Sequence, residues 1–206
     1  MSENALSAAE VPETGRRQQI LREAARLFAD RGVATTSIRD IADAVGLRSA
    51  SLYHHFAAKE QMVHEILSQP VDELLAAYAE VLGRDESPRT CLTGLIEASF
   101  EILLRLPDAC AIYQNDYAVL SRQPGFDYLK AAHGRFQAIW LRILKDGIAA
   151  GQFRADIEPF IFYRLSRDAI WQCVGPFRRG EIDEAEIRRL APAFTDLLLN
   201  GFSLRP

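Results

Sequence analysis

The chain has 206 residues, 49% hydrophobic and 25% charged, with a net charge of −4. That composition is too apolar for intrinsic disorder, and no apolar run approaches the roughly 18 residues of a membrane span, so a globular protein of one or two small domains is expected. Cys91, Cys110 and Cys173 are an odd number without a CxxC pair, which argues against a disulfide framework or a zinc site and for buried thiols; no cofactor is expected.

The first fifteen residues contain Glu3, Glu10 and Glu13 and no basic side chain. They lack the basic start and apolar stretch of a secretory signal, and are expected to be a disordered tail on a cytoplasmic protein. A helix over 16–31 follows, with Ile20, Ala24, Leu27 and Phe28 at helical spacing and Gly32 as its stop. Thr36 or Ser37 can cap a short second helix carrying Ile38, Ile41, Ala42 and Val45, and Gly46 ends it. Ser49 can cap a third short helix over 50–55. A fourth starts near Ala57, and Pro70 is expected to kink or break it. Amphipathic helices are predicted over 88–105, 107–121, 124–150, 158–179 and 183–202. The expected fold class is all-α, with a small head at 16–60 and a larger helical bundle at 61–206.

The charge is unevenly distributed. Residues 16–59 contain eight basic and four acidic side chains, a net +4, whereas everything after Lys59 carries −5. A basic lobe on an acidic body suits a module that meets phosphate backbone with one end, although a solvated helix face has the same charge. The two short helices around Gly46, preceded by a longer one, have the proportions of a helix-turn-helix. Arg48, Ser49, Ser51, Tyr53 and His54 would then face a major groove. Helix N-termini at Thr36 and Ser49 would offer backbone N–H groups to phosphate. Arg16, Arg17, Ser37, Arg39 and Lys59 complete the candidate DNA contacts.

The string SIRDIADAVG over 37–46, followed by SLYHHF over 51–56 and Lys59-Glu60, resembles the DNA-binding signature of the TetR family of bacterial transcriptional regulators. The resemblance implies a homodimer, a two-fold symmetric operator, repression as the default output, and a ligand pocket in the C-terminal bundle. It also implies phosphate contacts from Tyr53 and Lys59, His54 and Ser49 near base edges, and Thr36 as a cap at the backbone. Ala50 stands where the family commonly has glycine, and Arg48 where it has a small or capping residue. His54 and His55 point about 100° apart on a helix, so one faces DNA while the other packs, and the pair is not a metal site.

Strings over 112–116, 123–126, 147–156 and 163–171 are similar to a steroid-catabolic branch of that family, the actinobacterial repressors of the later steps of cholesterol breakdown. That likeness implies release from DNA by a CoA thioester of a steroid-ring fragment, with Arg167 and Trp171 in the pocket. The residues alone put Phe160, Arg164, Arg167, Trp171 and Val174 on one helix face. A guanidinium there needs a partner: a ligand oxygen, an ion pair with Asp116, Asp168 or Glu101, or a dimer contact. Phe100, Tyr113, Tyr117, Phe136, Trp140 and Trp171 either line a pocket or form plain core.

Ile187, Leu190, Ala191, Phe194, Leu197, Leu198 and Gly201 make a broad apolar stripe on the last helix, which predicts dimerisation through the last two helices. There is no HExxH, GxSxG, Walker lysine loop or GxGxxG, so an enzyme is not expected. The alternatives are a regulator of this family that senses a drug or an aromatic compound, and a helical interaction module that binds no DNA.

Overall fold

The computed structural model describes residues 13–202, with side chains over 15–201. Ten helices follow one another: α1 Glu13–Arg31, α2 Ile38–Ala44, α3 Ser49–His55, α4 Lys59–Gly83, α5 Pro88–Arg105, α6 Pro107–Leu120, α7 Asp127–Ala149, α8 Pro159–Trp171, α9 Val174–Arg178 and α10 Glu184–Phe202. No strand occurs among the described residues, and no helix there is long and apolar enough to cross a membrane. The expected tail falls mostly outside the described residues, but Glu13 to Gly15 are helical, so α1 starts earlier than its apolar pattern.

The chain divides into two compact units, one ending at Val63 and one starting at His64. The division falls inside α4, three residues beyond the expected edge of the head. In the first unit Ile20, Ala24, Leu27 and Phe28 of α1 are buried together with Ile41, Ala42, Val45, Leu52 and Phe56. Each large apolar side chain buried this way contributes about 1.5–3 kcal/mol. Gly46 has a φ of +67° with open space around it, so the turn after α2 needs glycine for its backbone and not for clearance.

In the second unit α5 is central and packs against α6, α7, α8 and α10. Leu92, Leu95, Ile96, Ser99, Phe100, Ile102 and Leu103 bury two sides of it. α4 is not broken at Pro70, which lies inside the helix and is buried beside Val71. The helix expected over 158–179 stops after Trp171 and restarts as α9. Pro176 is the cause, because it cannot donate to the carbonyl four residues back. Cys91 and Cys110 are buried and Cys173 is half-buried; all three are free thiols.

The last turns of α7 are held by a close fit. A Cβ added at Gly147 would lie 2.1 Å from the Phe153 ring, and Phe153 itself is fully buried. Gly147→Ala is therefore expected to lower stability by about 1–3 kcal/mol through overpacking, read as a lower midpoint in thermal unfolding.

Candidate functional site

The helix-turn-helix geometry arises from a chain of local bonds. Ser37, not Thr36, caps α2: its hydroxyl accepts from the Asp40 N–H at 3.2 Å, and the Asp40 carboxylate accepts from the Ser37 N–H at 2.8 Å. The Ser37 hydroxyl and N–H, with Arg31 and Arg39 nearby, hold the Asp40 carboxyl below the usual carboxylate value. Thr36 is buried, and its hydroxyl donates back to the Gly32 carbonyl at 2.9 Å, closing the loop after α1. The cap expected of Thr36 is thus supplied one residue later. α3 begins at Ser49 with Arg48 in the cap position and no side-chain cap bond, so Ser49 does not cap it either.

Three of the expected DNA-binding cations have work inside the head. The Arg16 guanidinium donates to the Val45 carbonyl at 2.9 Å and to Gln19 at 2.7 Å, tying α1 to the end of α2. Arg17 lies over the Phe56 ring at 4.3 Å. The Lys59 ammonium donates to the carbonyls of Val33 at 2.7 Å and Thr36 at 3.1 Å, so α4 grips the loop between α1 and α2. Lys59→Ala is expected to cost the head about 1 kcal/mol, because two part-buried carbonyls lose their donor. Amide exchange at 33–37 should accelerate, an effect that a residue used only for phosphate would not produce. The outward-facing set is smaller: Arg39, Arg48, Tyr53 and His54 are exposed, and Ser49 and Ser51 half-exposed. Arg39 lies 3.7 Å from Asp43, and Ser37 is exposed at its cap.

The second unit contains a cavity of about 220 Å³ lined by Tyr113, Gln114, Tyr117, His133, Arg167, Asp168, Trp171 and Gln172. A narrower inner cavity of about 40 Å³ shares four of these residues and adds Leu74, Tyr78, Ser99, Phe136, Trp140, Tyr163 and Ile170. Helices α4 to α8 all contribute to these walls. Of the expected ligand residues, Tyr113, Tyr117, Phe136, Trp140, Arg167 and Trp171 meet there. Phe100 and Arg164 do not. Phe100 is buried edge-on against Phe194 of α10, and Arg164 is exposed with its guanidinium 6.0 Å from the Phe160 ring. The inward face of α8 is Phe162, Tyr163, Ser166 and Ile170, so Arg167 and Trp171 stand on its shoulder and Phe160 and Arg164 beyond it.

The Arg167 partner left open by the sequence is Asp168, whose Oδ1 accepts from Nε at 2.9 Å and Nη2 at 2.6 Å. Its guanidinium also lies 5.6 Å from the Tyr163 ring. Burial and the nearby Arg167 charge push His133 below the usual imidazole value, so it is neutral at pH 7. His133 and Tyr163 also line these cavities, although neither is among the ligand residues expected from the sequence. Tyr163 was legible, four residues before Arg167 on the same helix; His133 carried no signal. Among the described residues, no group of His, Cys, Asp or Glu could hold a metal ion.

Residues 20–66 match the model for bacterial regulatory proteins of the tetR family. The chain is 39% identical to the HTH-type transcriptional repressor KstR2 of Mycolicibacterium smegmatis over 91% of each chain. It is 37% identical to the repressor of the same name from Rhodococcus jostii over 93% of each. The solved structure of the ketosteroid transcriptional regulator KstR2 of Mycobacterium tuberculosis superposes with a TM-score of 0.86 at 36% identity, covering 92% of this chain and 96% of that one. With a helix-turn-helix head followed by an α-helical, cavity-bearing unit, the chain belongs to the TetR family of bacterial transcriptional regulators.

Proposed function

We propose that the protein is a homodimeric repressor of steroid catabolism, released from a palindromic operator by an acyl-CoA thioester of a steroid-ring fragment. The observation that carries this reading is the aromatic cavity with Arg167 in its wall. Rings and aliphatic side chains would take an apolar acyl or ring group, and the guanidinium would answer its oxygen atoms. The names of the relatives, a ketosteroid regulator among them, point the same way. Arg105 is held by Glu73 at 3.1 Å, which leaves Arg122, Lys130 and Arg135, all exposed, as the candidate cations for a CoA diphosphate.

Dimerisation would use α8 and α10. Ile161 and Leu165 on α8, and Leu190 and Leu197 on α10, are exposed leucine and isoleucine side chains, a set that a two-fold four-helix contact would cover. Two heads related by that axis would read half-sites in successive major grooves through Arg48, Ser49, Ser51, Tyr53 and His54. The ligand must bind better to the form that does not hold DNA, since equal affinity for both forms shifts nothing.

The test is operator release from the protein's own promoter duplex, titrated with steroid-ring CoA thioesters, straight-chain acyl-CoAs, free CoA and uncharged apolar drugs. Release by the ring thioesters at the lowest concentration is expected. Release by the drugs and by no CoA thioester would leave a regulator with an unrelated effector.

A further inference from the structure

One side of the cavity is a run of aromatic rings. Tyr113 lies 6.5 Å from Trp171 and 5.3 Å from Tyr117, and Tyr117 lies 5.0 Å from His133, measured between ring centroids. Tyr113 also borders the inner cavity and a third, about 20 Å³ space beside Pro70 and Ile102, so its ring sits where all three converge. Its hydroxyl oxygen is buried and has no hydrogen-bond partner. A buried hydroxyl in that condition carries the cost of lost hydration with nothing in return.

The inner end of the cavity is different. Ser99 donates its hydrogen to the Leu95 carbonyl at 2.8 Å, so the Tyr78 hydroxyl, 2.7 Å away, must be the donor to Ser99. The Tyr78 oxygen in turn accepts from Trp140 Nε1 at 3.1 Å. All three hydrogens are committed, and Leu74, Phe136, Tyr163 and Ile170 also line that cavity. The floor offers hydrocarbon and closed hydrogen bonds, whereas the Tyr113 hydroxyl is a buried donor without a partner.

We propose that the Tyr113 hydroxyl is a specificity-determining donor of the effector site, reserved for a carbonyl or hydroxyl oxygen on the apolar body of the ligand and separate from the oxygen answered by Arg167. This rests on the reading of the cavity as the effector site. Burial raises the Tyr113 phenol above its ordinary value, so it remains a neutral donor throughout the physiological range. Arg167, in the same wall, is a donor as well, so a ligand oxygen is the group that these two side chains complement. A plain hydrocarbon would fill the space yet leave the hydroxyl unpaired, and a site built around a hydrogen bond discriminates against such a ligand.

The bicyclic ketone tetralone and its hydrocarbon tetralin differ at this one feature. The chain's two tryptophans, Trp140 and Trp171, both line the cavities, so intrinsic fluorescence reports occupancy without DNA. The unmodified protein is expected to bind tetralone about tenfold more tightly than tetralin, the equivalent of one neutral hydrogen bond. Tyr113→Phe, which removes only the oxygen, should bind both equally, with tetralin affinity unchanged. Arg167→Met should keep the ketone preference. A preference retained in Tyr113→Phe, or lost in Arg167→Met, would overturn the assignment. Binding of neither probe to the unmodified protein would overturn it together with the effector site. A Tyr113-dependent preference without any operator release by CoA thioesters would leave it standing and remove the proposed acyl-CoA effector.

Discussion

Replacing Leu165 and Leu197 together with aspartate is expected to give a folded monomer whose operator affinity is about 10³-fold lower. Both side chains are largely in solvent within one chain, at 66% and 70% exposure, so the substitutions cost that chain's core little. Between two copies the same leucines would be buried, and four carboxylates in a symmetric apolar contact would oppose assembly. Operator affinity falls with the dimer because two tethered heads gain about 10²–10⁴ from effective concentration, and a lone head binds only its half-site. Light scattering gives the mass and fluorescence anisotropy with labelled duplex gives the affinity. Phe194 is a poor place for this experiment despite its position in the same stripe. It packs on Phe100 in its own chain, so aspartate there would damage the fold and the interface at once. If the Leu165/Leu197 double variant stayed dimeric, the interface would lie elsewhere.

Most of the head was readable from the chain because its signals are local. Ile20 to Phe28 repeat at helical spacing, glycines mark the ends of α1 and α2, and the Ser37–Asp40 box is a pattern of two residues three apart. The second bonding roles of Arg16 and Lys59 were not readable. Each reaches a backbone carbonyl more than twenty residues away, and a basic side chain in a basic lobe looks the same whether it meets phosphate or its own loop. The bundle was legible as helices but not as a set of faces. Stepping along α8 from Phe160 gave a face that includes Arg167 and Trp171, yet packing against α5 and α7 turns the helix so that Tyr163 and Ser166 point inward. Rotation of a helix about its own axis is fixed by its neighbours, and a single amphipathic pattern with aromatics on both sides does not specify it.

Arg167→Met is expected to raise the effector concentration needed for half-release by about 10–100-fold while leaving operator affinity without effector unaltered. The guanidinium is part-buried in the cavity wall, with 29% of its side-chain surface exposed, and Asp168 engages its Nε and Nη2. An arginine carries five N–H donors, so this pairing leaves it able to meet a ligand oxygen as well. A hydrogen bond to a charged group is worth about 1.5–3 kcal/mol, and losing one gives the expected shift. Methionine keeps most of the length and apolar contact of the side chain, which separates the loss of charge from the loss of packing. Arg167→Lys keeps the charge without the planar fork and should fall between the two, because an ammonium cannot offer two parallel donors to one carboxyl or thioester group. Release titrations with a steroid-ring CoA thioester, at fixed salt, measure all three proteins against the same duplex. Identical midpoints for the unmodified protein and Arg167→Met would mean that the guanidinium answers only Asp168, and that the cavity selects its ligand through its aromatic walls alone.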